Sequence, residues 1–491
     1  MDALAQSDLT PQQSFRAGAW REPLAVAIPV GILAGLATIL GTGIHPLLPF
    51  LLVIVLAAAA LAVLRPMTAL YVGLASMPLE AASLNLGALG VTPSEGMLTL
   101  TAVAWLLKRS ASRETVLVNS PLTAPFALGL AIMAAGFLVS ETPFQVVKVL
   151  AIWTVFFVLV QMVIAEGNPG AVRRVMIAVA FSGAAFGAVA VATGGGQELT
   201  EFGRVAEGRA RVGFGSPNTL GEYLALAIPC QIAVLLRGPS ALRLPMVLSI
   251  GLTSVGLGLT LSRGALIGIA GAMLVLLAWK PFRRVAVVAG ATLLAATVIG
   301  FNPIASVLRV DVLVERVTSI QYEAQLNPRR VALQNSPNVI ADHPLFGVGA
   351  GSLASVAPEY KLILQGAPMD NAHNMLLHVG AERGLLGLGA FIWLLAAFGR
   401  SAVNACRRSV GENQAYAFAI AASWLSLLLA GLADAVLLVN AVAATAFVLM
   451  ACAVVLDREA DRAERADPKE GTDDDGPVNP WEPDPVAEAR A

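Results

Sequence analysis

The chain has 491 residues, 57% of them hydrophobic and 13% charged, with a net charge of −1. That balance leaves too little polar surface to solvate a soluble domain of this size, so lipid is the expected main solvent. The near-zero net charge hides an uneven distribution, and that distribution orients the chain.

A polar leader containing Arg16, Arg21 and Glu22 precedes the first apolar stretch, residues 24–44. This stretch is long for a signal peptide and lacks an obvious cleavage site, so it is read as a retained helix. Further apolar stretches follow at 47–64, 67–84, 91–107, 122–139, 146–165, 175–193, 217–236, 244–261, 265–279, 285–301, 385–399, 415–432 and 435–456. Each approaches the ~20 residues that carry a helix across a ~30 Å hydrocarbon core. None alternates as a strand of a membrane barrel would. The fold class is therefore an all-α polytopic membrane protein of about 12–14 transmembrane helices. Cys230 and Cys452 lie inside apolar stretches and Cys406 in a basic loop, so no disulfide framework is expected.

Placing the N-terminus in the cytoplasm puts Arg65, then Lys108, Arg109 and Arg113, then Arg173 and Arg174 on the cytoplasmic side. Arg237 and Arg243 follow, then Lys280, Arg283 and Arg284, and finally Arg400, Arg407 and Arg408. This satisfies the positive-inside rule. The expected organisation is a cytoplasmic leader at 1–23, a helix bundle at 24–301, a large periplasmic loop at 302–383, C-terminal helices at 384–456 and a polar, disordered cytoplasmic tail at 457–491. The loop is long for a connection between packed elements, which marks it as functional.

Three places keep cations on the disfavoured side. Arg204, Arg209 and Arg211 lie in one, the break at Ser262-Arg263-Gly264 is the second, and the long loop is the third. For Arg204, Arg309 and Arg316 neighbouring acids suffice as an explanation. Arg263 has no acid near it in sequence and sits between two apolar stretches, where an unpaired charge is expensive, so it is expected to bind an anion or a buried carboxylate.

Three segments on that side carry a resemblance. They are Arg211-Val-Gly-Phe-Gly-Ser-Pro-Asn218-Thr-Leu-Gly; Thr260-Leu-Ser-Arg263-Gly-Ala-Leu-Ile-Gly; and Asp342-His-Pro-Leu-Phe-Gly347-Val-Gly349 continuing to His373-Asn374-Met-Leu-Leu377 and Glu382-Arg-Gly384-Leu-Leu-Gly387. In order and spacing the chain resembles the O-antigen ligase and polymerase superfamily, membrane glycosyltransferases that use polyprenyl-diphosphate-linked glycans. The resemblance covers roughly residues 204–399 and implies a GT-C-like architecture, a donor such as an undecaprenyl-diphosphate glycan, and as acceptor a lipid A core sugar or a second lipid-linked glycan. It implies an inner-membrane location with an active site on the periplasmic face, and no nucleic-acid partner. One departure stands out: the helix after Asn327-Pro-Arg329-Arg330 lacks the early tryptophan often found there, which weakens the carry-over to Arg329 and Arg330.

The chemistry fits these residue types. Displacing a diphosphate builds charge on the leaving oxygens, and the arginine fork holds such oxygens bidentately while staying charged. Arg211 and Arg263 come first, then Arg209. The acceptor hydroxyl must lose a proton, which a histidine can take near neutral pH; by resemblance that residue is His373. Glu382, Asn374, Asp370 and Arg330 are candidates for acceptor contacts or support. His45, His343 and His378 are read as structural, and the His373/His378 spacing with no cysteine nearby does not suggest a metal site. No cofactor is expected. Gly347-Val-Gly349-Ala-Gly351 follows no strand of a βαβ unit and is read as a turn. Glu80, Glu141 and Lys148, near outer helix ends, are read as snorkelling or mutually paired.

Overall fold

The computed structural model describes residues 48–81, 84–86, 89–193, 197–199, 205–207, 210, 212, 214, 216–284, 328–364 and 367–466. In chain order the main helices are α1 (Leu48–Leu64), α2 (Pro66–Ala75), α3 (Pro93–Ala111), α4 (Thr123–Gly136), α5 (Pro143–Glu166), α6 (Pro169–Thr193), α7 (Pro217–Arg237), α8 (Arg243–Thr260), α9 (Arg263–Ala278), α10 (Pro328–Asp342), α11 (Met375–Arg408), α12 (Gly411–Ala430) and α13 (Asn440–Ala466). Strands among the described residues are limited to three short antiparallel hairpins. Seven described helices are long and apolar enough to cross a membrane, so the protein is an all-α polytopic membrane protein. The expected stretches at 24–44 and 285–301, together with Arg209 and Arg211, lie outside the described residues.

Helix starts follow the sequence chemistry. Proline opens α2, α3, α5 and α7, where its missing N–H costs nothing. Thr92 and Glu95 form a capping box on α3. The middle of the bundle is mainly apolar, and the polar side chains buried there, such as Gln231 and Thr253, bond to one another (2.7 Å). Phe126, Trp153, Phe156, Phe157 and Phe447 pack tilted and edge-on at 5.0–6.2 Å between ring centres. Small residues bring the backbones close: a side chain added at Gly256 on α8 would meet the Gly187 Cα of α6 at 2.9 Å.

Two boundaries differ from the sequence reading. The last long loop ends at Asn374, where α11 begins, ten residues before the apolar run at Leu385. His378, Glu382 and Arg383 break the apolar pattern there, yet all three are buried inside the helix start. At the other end, α13 runs on through polar sequence to Ala466. Pairs such as Arg465–Asp461 (2.9 Å) and Arg462–Glu459 (3.7 Å), one turn apart, support the extension that polarity alone argued against.

The loop before α11 is fastened to it at a kink. Gly384 has φ +66 and ψ −172, a conformation closed to L side chains, so the helical ladder breaks. Segment 342–351 takes over the released groups. Val348 N–H donates to the Ala381 carbonyl (3.0 Å), Gly349 N–H to that of Glu382 (3.0 Å), and Leu385 N–H to that of Pro344 (2.7 Å). A side chain on Gly347 or Gly384 would strike the facing backbone. The glycines of this segment are thus a packing requirement, in keeping with a turn and not a phosphate cradle. Ser352 Oγ accepts a hydrogen bond from Thr142 (2.8 Å), which ties the loop to the start of α5.

Candidate functional site

The N-termini of α7, α9, α11 and α13 and the C-termini of α8 and α12 meet at one end of the bundle, and polar residues converge there. At the centre is Asp434, in the short link between α12 and α13. Its Oδ1 accepts hydrogen bonds from the Asn371 side-chain amide (2.8 Å) and the Ala435 N–H (2.9 Å). Its Oδ2 accepts from the Asn218 amide (3.2 Å). The Nδ1 of His373 lies 3.6 Å from Oδ1, an ion-pair distance rather than a hydrogen bond. Burial raises the Asp434 carboxyl, but the His373 imidazole, the Asn371 amide and the Ala435 N–H more than offset it and hold its pKa at about 2. Asp434 is therefore a fixed anion at any cellular pH.

His373 is positioned by its backbone as much as by its neighbours. It adopts φ +47, uncommon for a residue with a side chain. The Asn371 side chain supports that turn by accepting the His373 N–H (2.7 Å). Asn371 thus holds both partners, one through each end of its amide. Immediately after, Asn374 caps α11: its Oδ1 accepts the Leu376 and Leu377 N–H groups, each at 3.0 Å, and its Nδ2 donates to the Leu432 carbonyl (3.1 Å). Asn374 is engaged in holding the helix start against the α12–α13 link.

Asn218 enters from the next helix. Ser216 caps α7, accepting the Asn218 N–H at 3.2 Å. Close packing behind it depends on Gly221, where a side chain would meet Thr260 Oγ1 at 2.9 Å and Ser262 Cβ at 3.0 Å. This seats the α7 start on the α8–α9 break. In that break Leu261 turns left-handed (φ +49), Ser262 caps α9, and Arg263 is the first residue of α9, half-buried. One turn into α7, Glu222 is 2% exposed and within electrostatic range of both Asp434 and Arg329.

The sequence-chosen residues therefore separate. His373 joins the Asp434 cluster, Arg263 lies at the same end of the bundle, and Arg209 and Arg211 fall outside the described residues. Of the arginine pair at the start of α10, Arg329 is the one that acts electrostatically on Glu222, while Arg330 is exposed. Asp370 is also exposed. Glu382 does not reach His373; its carboxylate lies 3.3 Å from His378 Nε2, both buried, and neighbouring Arg383 stacks over Trp153 at 3.9 Å from the ring centre. Sequence reasoning passed over Asp434, Asn371 and Glu222. Asp434 and Glu222 did carry a signal, the one that singled out Arg263: an isolated charge within or beside apolar sequence.

Residues 248–392 match the family model described as O-antigen ligase. The match supports the O-antigen ligase superfamily. It supports a ligase- or polymerase-type glycan transfer as the broad activity, with lipid-linked glycans as the substrate class. The matched stretch contains Arg263, Arg329, His373 and the Gly384 kink; Asn218, Glu222 and Asp434 lie outside it and are joined to it by the fold. No curated protein matches the chain.

Proposed function

We propose that the chain is an O-antigen ligase that moves a glycan from a polyprenyl diphosphate, such as undecaprenyl diphosphate, to a hydroxyl of lipid A core on the periplasmic face of the inner membrane. The observation that carries this reading is the His373–Asp434 pairing, supported from both sides by Asn371 and Asn218, at the end of the bundle where Arg263 lies. His373 Nδ1 faces a fixed carboxylate, which leaves Nε2 for the acceptor. The acceptor oxygen attacks the anomeric carbon while the bond from that carbon to the diphosphate oxygen breaks. The hydroxyl proton passes to His373, and Asp434 stabilises the imidazolium that forms. The diphosphate departs with its charge held by Arg263, together with Arg211 and Arg209. This division of labour calls for no metal.

The orientation rests on charge. Arg109, Arg173, Arg237, Arg243, Arg283 and Arg408 all lie at the opposite end of the described helices, which the positive-inside rule assigns to the cytoplasm along with both termini. The test is a purified reaction offering a polyprenyl-diphosphate glycan with either lipid A core or a second lipid-linked glycan. Glycan on lipid A core is the expected product. Lengthened lipid-linked glycan would make the chain a polymerase, and movement of the lipid between leaflets without any product would make it a transporter.

A further inference from the structure

Two cavities open between α3, α5, α11 and α13, helices other than those that carry Arg263 and Asn218. The larger, about 420 Å³, is walled by apolar side chains that include Leu98, Phe144, Val147, Val155 and Phe156. The smaller, about 220 Å³, is the more polar of the two, with Gln145, His378, Glu382 and Arg383 set among apolar side chains such as Met375 and Leu437. Lys148, Ile152 and Asn440 belong to both walls, so the apolar groove and the more polar cavity adjoin across these side chains. From Phe144 to Phe156 the groove follows α5 for about 18 Å at 1.5 Å per residue, roughly half of a ~30 Å hydrocarbon core and the depth of one leaflet.

An ordinary boundary lipid would account for the apolar part alone. The polar end asks for more. His378 is 5% exposed and Arg383 8% exposed, yet His378 Nδ1 and Arg383 Nε have no hydrogen-bond partner. Buried polar atoms of this kind are costly, and a ligand group is one way they are satisfied. Lys148 stands exposed on the rim shared by the two cavities. Glu382 is the one carboxylate in this cavity's lining, against Lys148, Arg383 and a histidine, while Glu95 in the adjoining groove is engaged by Asn440 and the Thr92 N–H, so the cavity suits an anion. Its walls also include Met375 and Ala435, which follow His373-Asn374 and Asp434 directly in the chain.

Resting on the transferase reading, we propose that these adjoining cavities together form the acceptor's site: a lipid whose hydrocarbon chain lies between α3, α5 and α13 and whose phosphate meets Lys148, His378 and Arg383. The donor diphosphate is then held at the arginine end, and the two lipid-borne substrates approach His373 from different flanks of the bundle. This separation answers a requirement of the reaction, since each substrate brings its own lipid anchor and the two cannot share one groove.

The test is steady-state transfer by the full-length chain with the groove filled, using the acceptor that the wild type accepts. Val147→Trp and Ala151→Trp, both in the groove lining, are compared with Thr154→Trp, on the same helix but outside that lining. The expected result is that the first two raise KM for the acceptor about tenfold, equivalent to about two lost methylene contacts, and leave KM for the donor unchanged. Thr154→Trp moves neither. Both positions are exposed, so two independent variants keep the test valid if one of them fails to insert. An unchanged acceptor KM in Val147→Trp, or a rise confined to the donor, would overturn the proposal and leave the groove to boundary lipid or another segment of the chain. Absence of transfer in the wild type would instead sink the transferase reading, and this proposal with it.

Discussion

The two ends of the bundle handle charge in opposite ways. At the end carrying Arg109, Arg173 and Arg408, ions are paired in the open: Arg109 with Glu114 at 3.2 Å, Arg173 with Glu412 at 3.7 Å, and Arg408 with Asp461 and Glu464 at 3.9 and 3.8 Å, most of these side chains about two-fifths or more exposed. At the other end, His378, Glu382 and Arg383 are buried, and Asp434 is mostly so, held by four neighbours. Exposed pairs add little and mainly hold helix ends at the interface. Burying charge is expensive, so a chain that gathers it at one end and builds hydrogen bonds around it is preserving a chemical arrangement at the expense of stability.

That contrast can be broken most severely at the kink that keeps the buried end together. Gly384→Ala puts a Cβ against the Leu345 backbone in a conformation available to glycine alone. It should cost about 3 kcal/mol or more. Thermal unfolding in detergent would show it as a much lower midpoint; a midpoint equal to wild type would mean that the loop and α11 are not locked together.

Asp434→Asn should come next. It keeps the shape and, through the amide oxygen, the bonds from Asn371 and Ala435, but it loses the acceptor facing Asn218 and the charge that balances a protonated His373, and transfer should fall about 10- to 100-fold, part of the ~10²–10⁴ that general-base catalysis contributes. The Asp434 carboxylate is charged at every working pH. Because its pKa in the folded state is lowered to about 2, the stability it supplies is complete above the ordinary carboxylate pKa of 3.8 and is lost as pH falls through about 2. Any loss of transfer between about pH 5 and 7 in a pH–rate profile therefore belongs to a group other than Asp434.

Arg263→Lys keeps the charge and loses the fork, and about a tenfold fall in transfer is expected. Undiminished turnover would remove the arginine from diphosphate binding. The smallest effect belongs to the open end: Glu412→Gln should shift stability by less than about 1 kcal/mol and leave the transfer rate alone. A large catalytic loss there would mean that the two ends are coupled, contrary to the comparison.

How much of this was legible depended on how local each signal is. Apolar run length revealed the spanning helices, and loop charge suggested an orientation, because each can be read within a window of about 20 residues. His373, Asn218 and Arg263 sit inside short recognisable segments. Asp434 does not: it lies in a short connection between two apolar stretches, and only the fold brings it against His373 and Asn218. Glu222 was hidden in an apolar stretch, where the charges that act on it, Asp434 and Arg329, come from another link and another helix. The true start of α11 was hidden for the converse reason, since His378, Glu382 and Arg383 look like loop residues until the fold buries them.

The most direct test of the central claim is the rate of glycan transfer by purified His373→Ala beside wild type, both inserted to the same level and given a polyprenyl-diphosphate glycan with the accepted acceptor. Loss of about 10² to 10⁴ in rate, with KM for the donor unchanged, is the predicted result. Transfer at the wild-type rate would show that the proton leaves by another route and that the His373–Asp434 pair serves the fold alone.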